Sequence, residues 1–193
     1  LFVISYQNGI DPGRQLIDLL EWPRVLRMVL NFGAVLRADD HAVEVTLNSP
    51  PHAIGSLDDA YRPVCARIAT ALTSAGFDTQ VDDDIEPRVW SKAILNASMN
   101  PVAALVDATV AEVMRSPSRL IVERLLAESL AVARAEGLDL GENYFERAHA
   151  ILNAAGEHTP SMVEDIRGGR ESEVGQLNRQ ILDRALLHDI PTP

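Results

Sequence analysis

The sequence predicts an α/β region followed by an all-α region, with the change near residues 55–60. Three observations carry this expectation. From Leu1 to about Gly55, apolar residues come in short β-rich runs cut by turn signals. From Asp58 onward they recur at helical spacing. No internal repeat or low-complexity tract breaks either texture.

The elements follow in order. LFVISY (1–6) is an apolar run of the kind that fills buried parallel strands, and the turn signal Asn8-Gly9 follows it. GRQLIDLLE (13–21) reads as a short amphipathic helix. RVLRMVLNFGAVLR (24–37) and HAVEVTLN (41–48) read as paired strands joined by Ala38-Asp39-Asp40. PPHAIGSL (50–57) gives one more strand, its prolines marking the entry. LDDAYRPVCARIATALTSAGF (57–77) is helical, with Gly76 as C-cap, and DTQVDDDIEPR (78–88) connects it to the next helix. That helix is RVWSKAILNASMN (88–100), and after Asn100-Pro101 the chain continues as VAALVDATVAEVM (102–114). Ser116 is read as the N-cap and Pro117 as the first residue of a helix ending at Gly137. GENYFERAHAILNAAG (141–156) and EVGQLNRQILDRALLHD (173–189) are two further amphipathic helices.

Composition narrows the function classes. The 193 residues are 47% hydrophobic and 23% charged, with a net charge of −11, an ordinary balance for a folded chain. Such acidity argues against nucleic acid or an anionic membrane as partner, since both demand a dense basic face. Cys65 stands alone, which excludes a disulfide framework or zinc ribbon and favours a reducing, cytoplasmic compartment. No apolar run reaches membrane-spanning length, and none reads as a signal peptide. The five histidines show no metal spacing, so no metal is expected. Asp82, Asp83 and Asp84 lack a chelating loop pattern and read as a solvated linker. The chain opens directly on a strand and stops just after a helix, which reads as part of a longer protein.

Lys92, Asn96 and Asn100 recur at intervals of four in an otherwise apolar or small segment. On a helix, residues i, i+4 and i+8 lie within about 80° of one another, so the three form one polar stripe. One reading is a solvent-facing stripe. The other is a cleft wall of fixed donors and acceptors, because ordinary exposed faces favour Glu, Lys, Gln and Arg over the poor helix former Asn. Ser161 follows a proline at a helix start, where it reads as a plain N-cap or as part of an anion site. Glu173 opens the last helix ahead of Val174, Leu177 and Ile181 at apolar-periodic positions; the helix dipole favours a carboxylate there, and Glu171 fits equally well. Cys65 and Trp90 read as core residues, and Asn31 and His52 receive no role.

Taken together, WSKAILNASMNPVAAL, PSMVEDIRGGRESEVGQLN and HDIPTP resemble the C-terminal part of the ketopantoate reductase family, the 2-dehydropantoate 2-reductases. Gln7-Asn8-Gly9 resembles that family's Asn-Gly turn after a late strand of the dinucleotide-binding domain. The resemblance spans essentially the whole chain. It implies that residues 1–57 are the C-terminal strands of a Rossmann-like NADP-binding domain. Residues 58–193 would be a helical 6-phosphogluconate-dehydrogenase-like domain for substrate binding and dimerisation. By resemblance Lys92 is the general acid that protonates the ketone of a 2-oxo acid substrate as NADPH delivers hydride, giving D-pantoate in pantothenate and coenzyme A biosynthesis. Asn96 and Asn100 match substrate-binding positions, and Ser161 matches the serine that holds the substrate carboxylate. Glu173 matches a glutamate that contacts substrate and positions the lysine, and Asn8 an asparagine beside the nicotinamide. The family's glycine-rich phosphate loop lies upstream of Leu1, and no Gly-x-Gly occurs in these residues, so the chain alone is expected to bind NADPH poorly. A homodimer is the expected assembly.

Two other readings compete. A β-hydroxyacid dehydrogenase also carries Lys-x3-Asn on a helix, but with a glycine shortly before the lysine, where this chain has Pro87, Arg88, Val89, Trp90 and Ser91. A helical domain serving only dimerisation or binding is the non-enzymatic alternative.

Overall fold

The computed structural model describes residues 1–37 and 41–193, so the expected Ala38-Asp39-Asp40 link lies outside the described residues. The chain forms two compact units. The first comprises Leu1–Gln7 and Pro12–Arg88, the second Asn8–Asp11 and Val89–Pro193.

The first unit is built on a four-stranded sheet. β1 (Val3–Ser5) runs parallel to β2 (Val25–Val29), β2 antiparallel to β5 (His52–Ser56), and β5 parallel to β6 (Thr79–Val81). Parallel neighbours need a crossover. α1 (Pro12–Leu20) lies between β1 and β2, and α2 (Arg62–Ser74) between β5 and β6. All five residues of β2 are buried, which is why its sequence runs apolar instead of alternating. Its one charge, Arg27, is buried and donates from Nη1 to the Ser5 hydroxyl at 2.9 Å. α1 forms where its pattern predicts, although Leu19 and Leu20 are exposed. The expected strand 24–37 is divided: its first part is β2, and only its second, β3 (Phe32–Leu36), pairs with β4 (Val43–Asn48), in a separate antiparallel ribbon.

Leu26, Met28 and Ile54 from the sheet pack with Cys65 and Ala69 from α2. This moves the boundary. The change in texture suggested a break after residue 57, whereas the contacts part between Arg88 and Val89. The reason is physical: α2 is the crossover that lets β6 join the sheet, so it belongs with the strands despite its helical character. Strand β6 was expected to be plain connection. It is only three residues long and alternates too briefly to be read as a strand. α2 ends as expected, with Gly76 at φ +87° and Phe77 N–H bonded to the Leu72 carbonyl.

The second unit is helical: α3 (Glu86–Val106), α4 (Val110–Arg115), α5 (Arg119–Ala135), α6 (Tyr144–Ala154), α7 (Ser161–Arg167) and α8 (Asn178–Leu187). Its core takes Trp90, Ile94, Met99, Val113, Val122, Leu126, Leu177 and Ile181, together with Ile10 from the short N-terminal insert. The apolar pattern of 102–114 does not mark where α3 ends and α4 begins. Asp107 separates them at φ +50°, and Thr109 caps α4 through a full capping box with Glu112. Regular α5 starts at Arg119 rather than at Pro117. Its N-cap is Ser118, not the expected Ser116, because Ser116 closes α4; the Ser116 hydroxyl accepts the Ser118 N–H at 3.1 Å in the turn between the two helices.

Candidate functional site

α3 is the central helix of the second unit, with Val89, Trp90, Ala93, Ile94, Ala97, Ser98, Met99, Asn100, Val102 and Ala103 all buried. A helix apolar on most sides is stable only when surrounded. The half-open strip carries Ser91, Lys92, Leu95 and Asn96, and at its inner end Asn100 is 7% exposed. The predicted stripe is therefore no ordinary solvent face, because it runs from half-burial into the core. Just ahead of Lys92, the Tyr144 hydroxyl donates to the Ser91 carbonyl at 2.9 Å. Burial raises the pKa of that phenol, which keeps it a donor.

Pro101 lies inside α3. It has no N–H, so the Ala97 carbonyl one turn earlier loses its helical partner. Asn178, the first residue of α8, fills that place: its Nδ2 donates to the Ala97 carbonyl at 2.8 Å.

Glu173 does not open α8 itself. It starts a one-turn 3-10 helix, Glu173–Gly175, and Leu177 breaks the run before α8 begins. The break turns Leu177 fully into the core, while Val174 stays 46% exposed and off the apolar face expected for it. The Glu173 carboxylate accepts a hydrogen bond from Asn8 Nδ2 at 2.9 Å, joining two predicted site residues 165 positions apart.

The segment carrying Asn8 is held by α8. Gln180 is buried, and its Oε1 accepts from the Ile10 N–H at 2.8 Å and the Asp11 N–H at 3.2 Å. Gly9 adopts φ +100° and packs so closely on the Gln176 carbonyl that a side chain there would collide with it. Asp11 pairs with Arg184, which also reaches Glu136 and lies 5.4 Å from the Trp90 ring centre. None of Gln180, Asn178, Arg184 or Asp11 was singled out from sequence. Gln176, Gln180 and Arg184 do recur at intervals of four, but any solvated helix face has the same pattern.

Ser161 is exposed and stands at the first position of α7, behind Pro160, which is the N-cap; the expected serine cap is thus displaced by one residue. Among the described residues no hydrogen bond joins it to Asn8 or Glu173. The residues given no functional role are held by the fold. Asp82 pairs with Arg88 and Asp83 with Arg62, His52 stacks on Phe77 at 4.0 Å, and Cys65 is buried, which raises its thiol pKa. Trp90 is in the core, as read.

Residues 84–193 match the family model described as "Ketopantoate reductase PanE/ApbA C terminal". The 2-dehydropantoate 2-reductase of Halobacterium salinarum is 29% identical over 99% of this chain and 63% of its own length. The chain thus spans less than two thirds of that curated relative. A crystal structure of 2-dehydropantoate 2-reductase from Geobacter metallireducens superposes with a TM-score of 0.88 at 25% identity, covering 98% of this chain and 64% of that one. The structure of D-mandelate dehydrogenase with NADH superposes equally well, TM-score 0.88 at 22% identity, over 100% of this chain and 65% of that one. No helix among the described residues is long and apolar enough to cross a membrane.

Proposed function

The chain belongs to the ketopantoate reductase PanE/ApbA C-terminal family, and from that premise we propose that it supplies the proton-donating, substrate-orienting part of a nicotinamide-dependent 2-oxo acid reductase acting on ketopantoate. The observation that carries the reading is the Asn8–Glu173 hydrogen bond at 2.9 Å, which joins two of the expected site residues from opposite ends of the chain. The lysine and asparagine stripe of α3 supports it.

NADPH is the expected hydride source, and bound nicotinamide would supply the hydride at the ketone carbon. Asn8 is the residue proposed to face the nicotinamide; no Gly-x-Gly cradle occurs in this sequence, so no residue here is assigned to the pyrophosphate. The chain's own contribution is to the oxygen. The Lys92 ammonium supplies positive charge for the developing alkoxide and the proton that converts it to the alcohol. Asn96 and Asn100 orient the substrate's polar groups. Burial of the Asn100 amide makes an analogue that cannot match it expensive to bind. Glu173, held by Asn8, positions the lysine, and Ser161 receives the substrate carboxylate on the strength of the resemblance. A cytoplasmic homodimer is the proposed assembly.

The test is nicotinamide oxidation by the full-length protein with ketopantoate and a panel of other 2-oxo acids, using NADPH and NADH separately. Lys92→Ala should lower kcat/KM by about 100-fold or more with the fold intact by circular dichroism. Unchanged turnover in that variant would remove Lys92 from the mechanism. The second reading, favoured by the likeness to D-mandelate dehydrogenase, is an NADH-dependent reductase of aryl 2-oxo acids. Preference for such a substrate with NADH over ketopantoate with NADPH would establish it instead.

A further inference from the structure

We propose that Asn178 is a positioning residue for the reaction, paired with Pro101, and that the two set the register of the Glu173 segment against the helix bearing Lys92, Asn96 and Asn100. The inference rests on the reductase reading of that site. Pro101 leaves the Ala97 carbonyl without a helical donor, and Ala97 is 1% exposed, so water is a poor substitute. The donor comes from another element, Asn178 Nδ2 at 2.8 Å. Ala97 directly follows Asn96, five residues after Lys92 and three before Asn100. Asn178 stands five residues after Glu173, which Asn8 grips. One hydrogen bond therefore fixes the acid's helix against the carboxylate's turn.

Stability alone does not explain this arrangement. Alanine at 101 would complete the helical bond within α3 and need no outside partner. The Asn178 Oδ1 is buried, and no donor among the described residues reaches it, which is unfavourable for an amide oxygen. An interior proline and a buried amide oxygen each work against stability compared with a regular helix packed on an apolar residue. What they add is a directional link between two segments that both carry site residues.

The experiment is a double-mutant cycle on the intact protein, with Asn178→Ala and Pro101→Ala made singly and together, read by urea unfolding and by steady-state kinetics. Asn178→Ala should lower kcat by about tenfold or more through misplacement of the site, with a much smaller change in KM. In the Pro101→Ala background, where residue 101 again donates to Ala97, the same substitution should cost several-fold less in kcat and less in unfolding midpoint. Asn178→Asp, which keeps the shape but turns the donor into an acceptor, should behave like the alanine variant. Equal effects of Asn178→Ala in both backgrounds would show that the pair is not coupled. Coupling in unfolding without any change in kcat would reduce Asn178 to a fold residue and overturn the positioning role. If the unsubstituted protein reduces no 2-oxo acid, the reductase reading fails and the positioning role with it, while the unfolding cycle still decides whether the two residues are coupled.

Discussion

A methyl group on Gly9 would stand 2.5 Å from the Gln176 carbonyl oxygen, at a residue whose φ of +100° already disfavours any side chain. Both obstacles are backbone, so neither yields to a rotamer change. Gly9→Ala is expected to cost about 2–4 kcal/mol and to pull Asn8 from Glu173. Urea unfolding measures the first effect and loss of turnover the second. His158 answers to a different force. Burial holds its imidazole below the ordinary value of about 6.5. The unfolded chain therefore takes up that proton first as pH falls, and stability declines from pH 6.5 downward to the folded value. His158→Gln should flatten the change in unfolding midpoint between pH 7.5 and 5.5; an unaltered profile would assign the acid sensitivity to other groups. Residues of these kinds differ in how visible they are in sequence. Lys92, Asn96 and Asn100 stood out because polar groups interrupted an apolar segment. Asn178, Gln180 and Arg184 did not, because polar residues on an amphipathic helix look like a wet face. Asn178 and Gln180 instead hold backbone atoms of distant segments, and no spacing rule reports that.

Helix ends decide much of what was legible among the elements. Gly76 and Gly137 were read correctly as helix stops, since both take positive φ and are followed by the backbone bond that closes the helix, Phe77 to Leu72 and Leu138 to Ala133. The start of α4 was equally legible in principle. Thr109 and Glu112 form the Thr-x-x-Glu pattern of a capping box, with Thr109 bonds lowering the Glu112 pKa, yet the surrounding apolar residues mask the division between α3 and α4. Thr109→Ala should destabilise the chain by about 1 kcal/mol. A urea midpoint equal to that of the unsubstituted protein would show that the Glu112 bond to the Thr109 N–H suffices alone. The breaks at Leu177 and Asp107 were not legible, because each depends on tertiary position. Leu177 leaves helical geometry to reach the core, and Asp107 takes a left-handed turn more usual for glycine, with its carboxylate bonded to Arg167.

At the scale of the molecule, the sequence separated a strand-rich region from a helical one but placed the division about thirty residues early. Texture follows secondary structure, whereas a folding unit follows contacts, and α2 joins the sheet it crosses. The four residues Asn8–Asp11 show the same principle more sharply, since they count with the helical unit although residues of the other unit flank them on both sides. Ile10 fills the helical core, and Gln180 needs the two backbone N–H groups this insert provides. The segment shared with the family model, 84–193, therefore lacks a part of its own interior. A chimera that exchanged only that segment between relatives would separate a clip from the groove cut for it. Residues 8–11 and α8 have to be transplanted together, and evolution by recombination at the helical boundary faces the same constraint.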